Sequence, residues 1–146
     1  MSLRSDVTLS SLQARQKIGL PALLGVEILD LAEGSLSMRL PIVPQLLAPN
    51  GYLHAASVIA LADTACGFAC MAHLPPGAQN FTTIELKTNF LGTATEGTLL
   101  ARAQSVHRGR TTQVWDAAVR HVESDRAIAV FRCTQMVLWP KGEGKT

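Results

Sequence analysis

The stretch HAASVIALADTACGFACMAH, residues 54–73, decides how the rest of the chain is read. Twenty residues are apolar almost all round and hold no Pro. They end at Pro75-Pro76-Gly77, which a helix cannot continue through. A helix with so little polar face must be covered on most sides. It is too Ala- and Gly-rich for a membrane span, and Asp63 near its middle would cost roughly 2.5–3.5 kcal/mol on insertion scales. The stretch is read as a buried helix of a soluble protein.

On both sides of this helix the period changes to two. Leu36, Met38, Leu40 and Ile42 alternate with Ser35, Ser37 and Arg39, and a turn at Ala32-Glu33-Gly34 makes residues 25–42 a hairpin. Residues 43–53, with Pro44, Pro49, Asn50 and Gly51, read as a loop. Beyond the helix, strands are expected over residues 82–91, 98–107, 111–122 and 127–138. The turns Arg108-Gly109-Arg110 and Glu123-Ser124-Asp125 are short, so the strands they join are antiparallel. Ahead of everything, residues 1–22 are expected to hold one short amphipathic helix, with Ser10 or Ser11 as N-cap and Gly19-Leu20-Pro21 as its stop. Residues 139–146 are expected to be a flexible tail. The class is α+β: an antiparallel sheet of about six strands curling around one long central helix. One sheet and one helix leave faces uncovered, so a homo-oligomer is expected, by sheet extension or by contacts flanking the helix.

A chain of 146 residues makes a single domain. With 47% hydrophobic and 16% charged residues it is not a disordered chain. Thirteen Lys and Arg against eleven Asp and Glu do not describe a nucleic-acid surface. Three cysteines are no disulfide framework, and no signal-peptide pattern opens the chain, so the expected location is cytoplasmic, away from membranes.

Asp63 is the only Asp, Glu, Lys or Arg between Arg39 and Glu85. Its carboxylate, set among Leu61, Ala62, Ala65 and Cys66, must be paired, face a wet cleft or take up a proton more readily than usual. It is either fold glue or a catalytic group. Upstream, Asn50-Gly51-Tyr52-Leu53-His54-Ala55-Ala56 brings an amide and an imidazole to a helix N-terminus, where free N–H groups can meet an oxyanion. The same loop also reads as an Asx-turn at Asn50 and a capping His54. Cys66, Cys70 and His73 fall on one helix face at metal-ligand spacing, but a fourth ligand is missing and no metal is expected.

Asn50-Gly51-x-Leu53-His54-Ala55-Ala56, with Asp63 nine residues after the His, resembles the hotdog-fold acyl-CoA thioesterases, in particular the phenylacetate-degradation subfamily. The run Thr82-Thr83-Ile84-Glu85-Leu86-Lys87-Thr88-Asn89-Phe90-Leu91 and the turn His107-Arg108-Gly109-Arg110 are similar in style, and the resemblance spans residues 24–138. It implies dimers that join sheets, often tetramers, with the site at the subunit interface. It implies Asp63 as general base or nucleophile, the Ala55 N–H polarising the thioester carbonyl, Asn50 and His54 in support, and Thr83 near the attacking water. No cofactor is implied. Two positions depart from the family pattern N-x-x-G-x-x-H-G-G. Ala55-Ala56 stands for Gly-Gly, and Gly51 directly follows Asn50.

The expected reaction is hydrolysis of an acyl- or aryl-acyl-CoA to acid and CoA. Nine basic against six acidic residues fall in 74–146, and Arg108, Gly109 and Arg110 are the expected grip on the CoA phosphates. The rival readings are a non-catalytic hotdog module that senses acyl-CoA and a hotdog dehydratase.

Overall fold

A computed structural model describes residues 2–140. The long helix α3 runs Ala55–Ala72, with His54 and His73 as its caps. Six strands precede and follow it: β1 Glu27–Ala32, β2 Ser35–Pro41, β3 Asn80–Phe90, β4 Thr98–Arg108, β5 Thr112–His121 and β6 Arg126–Leu138. All neighbours are antiparallel, in the order β1-β2-β4-β5-β6-β3. The sheet curves over α3 as the period change predicts. Leu36, Met38 and Leu40 point inward with Leu99, Ala101, Ala103, Trp115, Ala117 and Val119. The helix meets them with Leu61 and with Ala62, Ala65, Cys66, Ala69 and Cys70, whose small side chains let the sheet approach closely.

The N-terminal segment differs from its sequence reading. It holds two helices, α1 Leu9–Arg15 and α2 Gly19–Leu24. Thr8 is the N-cap, in a reciprocal box with Ser11, so neither Ser10 nor Ser11 caps. Gly19-Leu20-Pro21 begins α2 instead of ending α1; a Pro in a first turn forfeits no helical hydrogen bond. At the break Gly19 takes φ +66°, and tertiary contact holds the end of α1. The Gln13 side chain donates to Ile28 O and Gln16 Oε1 accepts from Ile28 N, so the end of α1 is tied to β1.

At the other end Trp139 packs partly buried on the core and donates to Arg110 O. The chain therefore remains fixed one residue beyond the strand. Of the expected tail, residues 141–146 lie outside the described residues.

β3 is an edge strand with its outer side unpaired. Its register slips between Thr83 and Glu85, and this bulge reverses the pleat. Phe81 and Thr83 face the helix on one side of the bulge; Leu86, Thr88 and Phe90 face that way on the other, opposite Cys133, Phe131 and Ala129. Leu86 and Phe90 nevertheless remain 40% and 46% exposed, because α3 of the same chain does not cover them.

Candidate active site

Asp63 sits half-buried in the middle of α3, on the side of the helix turned toward β3. Thr83 Oγ1 donates to its Oδ1 at 3.1 Å, and Oδ2 has no hydrogen-bond partner among the described residues. Burial raises the Asp63 pKa above the ordinary carboxylate value, and the Thr83 hydroxyl pulls it partly back. Beside it lies a cleft of about 210 Å3 lined by Pro21, Thr64, Gly67, Phe68, Met71 and Phe81. Gly67 makes room for the Phe81 ring: a Cβ there would stand 3.2 Å from it. The arrangement is a proton-accepting oxygen at the mouth of an apolar slot.

Gln135 completes this cluster, and the sequence reading passed over it. It is fully buried, pairs with Thr83 across β3 and β6, and lies 2.9 Å from the Thr83 hydroxyl. The signal was present: Phe131, Cys133, Gln135 and Val137 share the inward face of β6, and a Gln among them had to find buried partners. Gln113 on β5 follows the same logic, donating to His73 O and accepting from the Trp115 indole.

The loop before α3 is folded tightly. Leu47 bridges Leu53, Gly51 takes φ +85°, and Asn50 Oδ1 accepts from Tyr52 N at 3.2 Å. That is an Asx-turn. His54 Nδ1 accepts the Ala56 N–H at 2.9 Å, which leaves Nε2 to carry the proton and face solvent. The Ala55 N–H has no acceptor among the described residues and points out at an exposed helix N-terminus. Ser57 Oγ donates to Leu46 O and anchors the loop to the helix.

These donors do not meet Asp63 within one chain. Nine residues separate His54 from Asp63, which on a helix is about 13 Å of rise and two and a half turns, hence opposite sides. The structure joins Asp63 to Thr83 and keeps Asn50, His54 and Ala55 apart from them. The turn at Arg108-Gly109-Arg110 lies elsewhere again, at the C-terminal end of α3, where His73 accepts from Gly34 N. Arg108 is ion-paired with Glu33 there, and Arg110 stacks over Trp139 at 5.0 Å. Gly109 N closes the turn onto Thr112 O.

The helix-face trio has structural duties. His73 bonds Ala69 O through Nδ1 at 2.7 Å and accepts at Nε2, so both ring nitrogens are engaged. Burial lowers its pKa, which keeps it neutral. Cys66 and Cys70 are buried thiols, Cys70 pushed up to about 12 by desolvation. No cluster of three metal-binding side chains occurs among the described residues. A larger depression of about 460 Å3 on the outer sheet face is lined by Lys87, Arg102, Asp116 and Arg132, and an Asp116–Arg132 ion pair crosses it. It lies on the opposite face of the sheet from Asp63.

Comparison with known proteins agrees with this geometry. The thioesterase superfamily model matches residues 50–128, from the Asx-turn into β6. The 1,4-dihydroxy-2-naphthoyl-CoA hydrolase of Listeria monocytogenes is 28% identical over 80% of this chain and 94% of its own. The acyl-coenzyme A thioesterase PaaI of Escherichia coli is 30% identical over 75% of each. The crystal structure of a Haemophilus influenzae thioesterase superposes with a TM-score of 0.88 at 26% identity, covering 99% of this chain and all of that one. The curved sheet wrapped around one long helix is thus shared with that thioesterase, and the chain belongs to the thioesterase superfamily.

Proposed function

We propose that the protein hydrolyses acyl-CoA thioesters with short or aromatic acyl groups, in a site completed by a second copy of the chain. The observation that carries this reading is Asp63, held by Thr83 at the mouth of an apolar cleft. Asp63 takes a proton from water as the water oxygen adds to the thioester carbon. The C–S bond then breaks, and the leaving thiolate recovers that proton from the Asp63 carboxyl. The net products are a carboxylic acid and free CoA. Asp63 as nucleophile would instead form an anhydride with expulsion of the CoA thiolate, and oxygen-18 from water found in the Asp63 carboxyl would identify that route.

The carbonyl oxygen needs a donor, and the Thr83 hydroxyl beside Asp63 is already engaged. The free Ala55 N–H, at the positive end of α3, is the donor we assign, contributed by the partner copy with His54 and Asn50 holding its loop. Unpaired β3 and the exposed Leu86 and Phe90 support such a partner, since sheet extension there would cover both. The cleft suits a short acyl or single-ring group: about 210 Å3, walled by Phe68, Phe81 and Met71. Relatives act on a naphthoyl-CoA and on acyl-CoA, which supports the same substrate class. Phosphates of CoA are assigned to the Arg108-Gly109-Arg110 turn. Arg110 has the greater part, because Arg108 already faces Glu33. Three buried free thiols support a reducing, cytoplasmic setting.

The test is release of free thiol, followed by a chromogenic disulfide, across acetyl-, hexanoyl-, palmitoyl-, benzoyl- and phenylacetyl-CoA. Turnover of the short or aryl members is expected. An enzyme inert on all five, yet binding them, would leave an acyl-CoA sensor in its place.

A further inference from the structure

The buried amide of Gln135 has no task in the reaction just described, yet it bears directly on Asp63. Thr83 Oγ1 stands 3.1 Å from Asp63 Oδ1 and 2.9 Å from Gln135 Oε1. A hydroxyl owns one proton and cannot satisfy two acceptors. Two arrangements resolve the conflict, and they differ in the charge of Asp63. When Asp63 is protonated, its carboxyl donates to Thr83 Oγ1, Thr83 donates to Gln135 Oε1, and Gln135 Nε2 donates to Cys133 Sγ, 3.3 Å away. When Asp63 is a carboxylate, Thr83 donates to it instead, and the amide turns over. Nε2 then donates to Thr83, and Oε1 accepts the Cys133 thiol proton. An amide has a donor at one end and an acceptor at the other, so it serves both states. Met or Leu serves neither, and Glu serves only the first.

We propose that Gln135 is a positioning residue whose amide turns over to reverse the Asp63–Thr83 hydrogen bond each time Asp63 gains or loses its proton. The proposal rests on the reading of Asp63 as general base. No proton travels through Gln135: the one Asp63 takes from water goes to the thiolate. Gln135 has the contacts for this role. It is fully buried on β6, directly across from Thr83.

Among the described residues of its own chain no charged group bears on Asp63, and from the partner copy the proposed site adds the His54 imidazole. From α3 the titratable neighbour is the Cys66 thiol, whose pKa is raised by Cys133 and by burial, so it stays neutral. From β6 it is the Cys133 thiol. Asp116 of β5 pairs with Arg132 on the far face of the sheet, and α2 contributes only Pro21 to the cleft.

Removing the amide takes away the donor that polarises the Thr83 hydroxyl toward the carboxylate, and that charge-assisted Thr83–Asp63 bond loses more than its neutral counterpart in the acid state. A loss of that kind moves the acid limb of kcat/KM upward by about half a pH unit. The experiment compares pH profiles of the wild type, Gln135→Met, Thr83→Val and the double variant. Gln135→Met is expected to shift the limb upward, and to shift nothing further once the Thr83 hydroxyl is gone. An unmoved limb, or an equal shift with and without that hydroxyl, overturns the proposal. Should Gln135→Met not fold, the wild-type protein itself decides the matter by NMR. The Gln135 side-chain amide resonances must move with the Asp63 midpoint, and must stay still in Asp63→Asn. Resonances that ignore pH in the wild type overturn the amide reversal alone. Full activity in Asp63→Asn overturns the general-base reading instead.

Discussion

Asp63→Asn should lower activity and raise stability together, and the two effects have one cause. The carboxylate is half-buried, its pKa is raised by desolvation, and only Thr83 offsets this. A folded-state pKa above the unfolded value means the folded protein binds the proton more tightly. The resulting stability is present below the ordinary carboxylate pKa and is lost as pH rises through the folded pKa. Asn keeps the size and the Thr83 hydrogen bond but has no charge to desolvate. The variant should therefore match the wild type near pH 4 and exceed it at about pH 8. Relieving one functional-site strain of this kind is worth about 1 kcal/mol, or roughly 2–4 °C in Tm for a chain of this size. Turnover should fall by about 10²–10⁴, the loss expected for a positioned base. Thermal melts at the two pH values and thiol release at saturating acyl-CoA measure both. A variant that is active, or one that is less stable at the higher pH, refutes the account: Asp63 would then be fold glue.

Light scattering should find a dimer or tetramer, and Leu86→Asp on the open edge should yield monomers with at least about a tenfold loss of activity; a fully active monomer removes the shared site. Arg110→Ala should raise KM for acyl-CoA about three- to tenfold at unchanged kcat and leave acyl-pantetheine unaffected, with a smaller effect from Arg108→Ala. Equal losses on both substrates would make the turn an ordinary hairpin tip. Gly67→Ala should press on the Phe81 ring and narrow the cleft, lowering kcat/KM for benzoyl-CoA about tenfold relative to acetyl-CoA. An unchanged ratio would place the acyl group elsewhere.

The elements were legible wherever periodicity was strong and punctuation local. The twenty-residue apolar run with Pro75-Pro76-Gly77 behind it could be one thing only, and the alternation of Leu36, Met38 and Leu40 set the inward face of β2 from sequence alone. Asp63 stood out for the same reason, as the one carboxylate in an apolar helix. Its neighbour Thr83 came only through family resemblance, because nothing in residues 82–91 says which threonine faces the helix. The bulge between Thr83 and Glu85 decides that, and a bulge depends on pairing with β6. The same long-range pairing explains Gln135, whose partner is 52 residues away in the chain.

The order of the long helix and the strands, the single isolated carboxylate and the turn-forming loop before it were readable along the chain, because these depend on neighbours a few residues apart. Tertiary structure alone decided the rest. It tied the end of α1 to β1 through Gln13, Gln16 and Ile28, pinned Trp139 to the core, and committed Arg108 to Glu33. It also set His54 and Asp63 on opposite sides of one helix. Each of these depends on which surfaces the folded chain brings together, and local pattern carries no record of that.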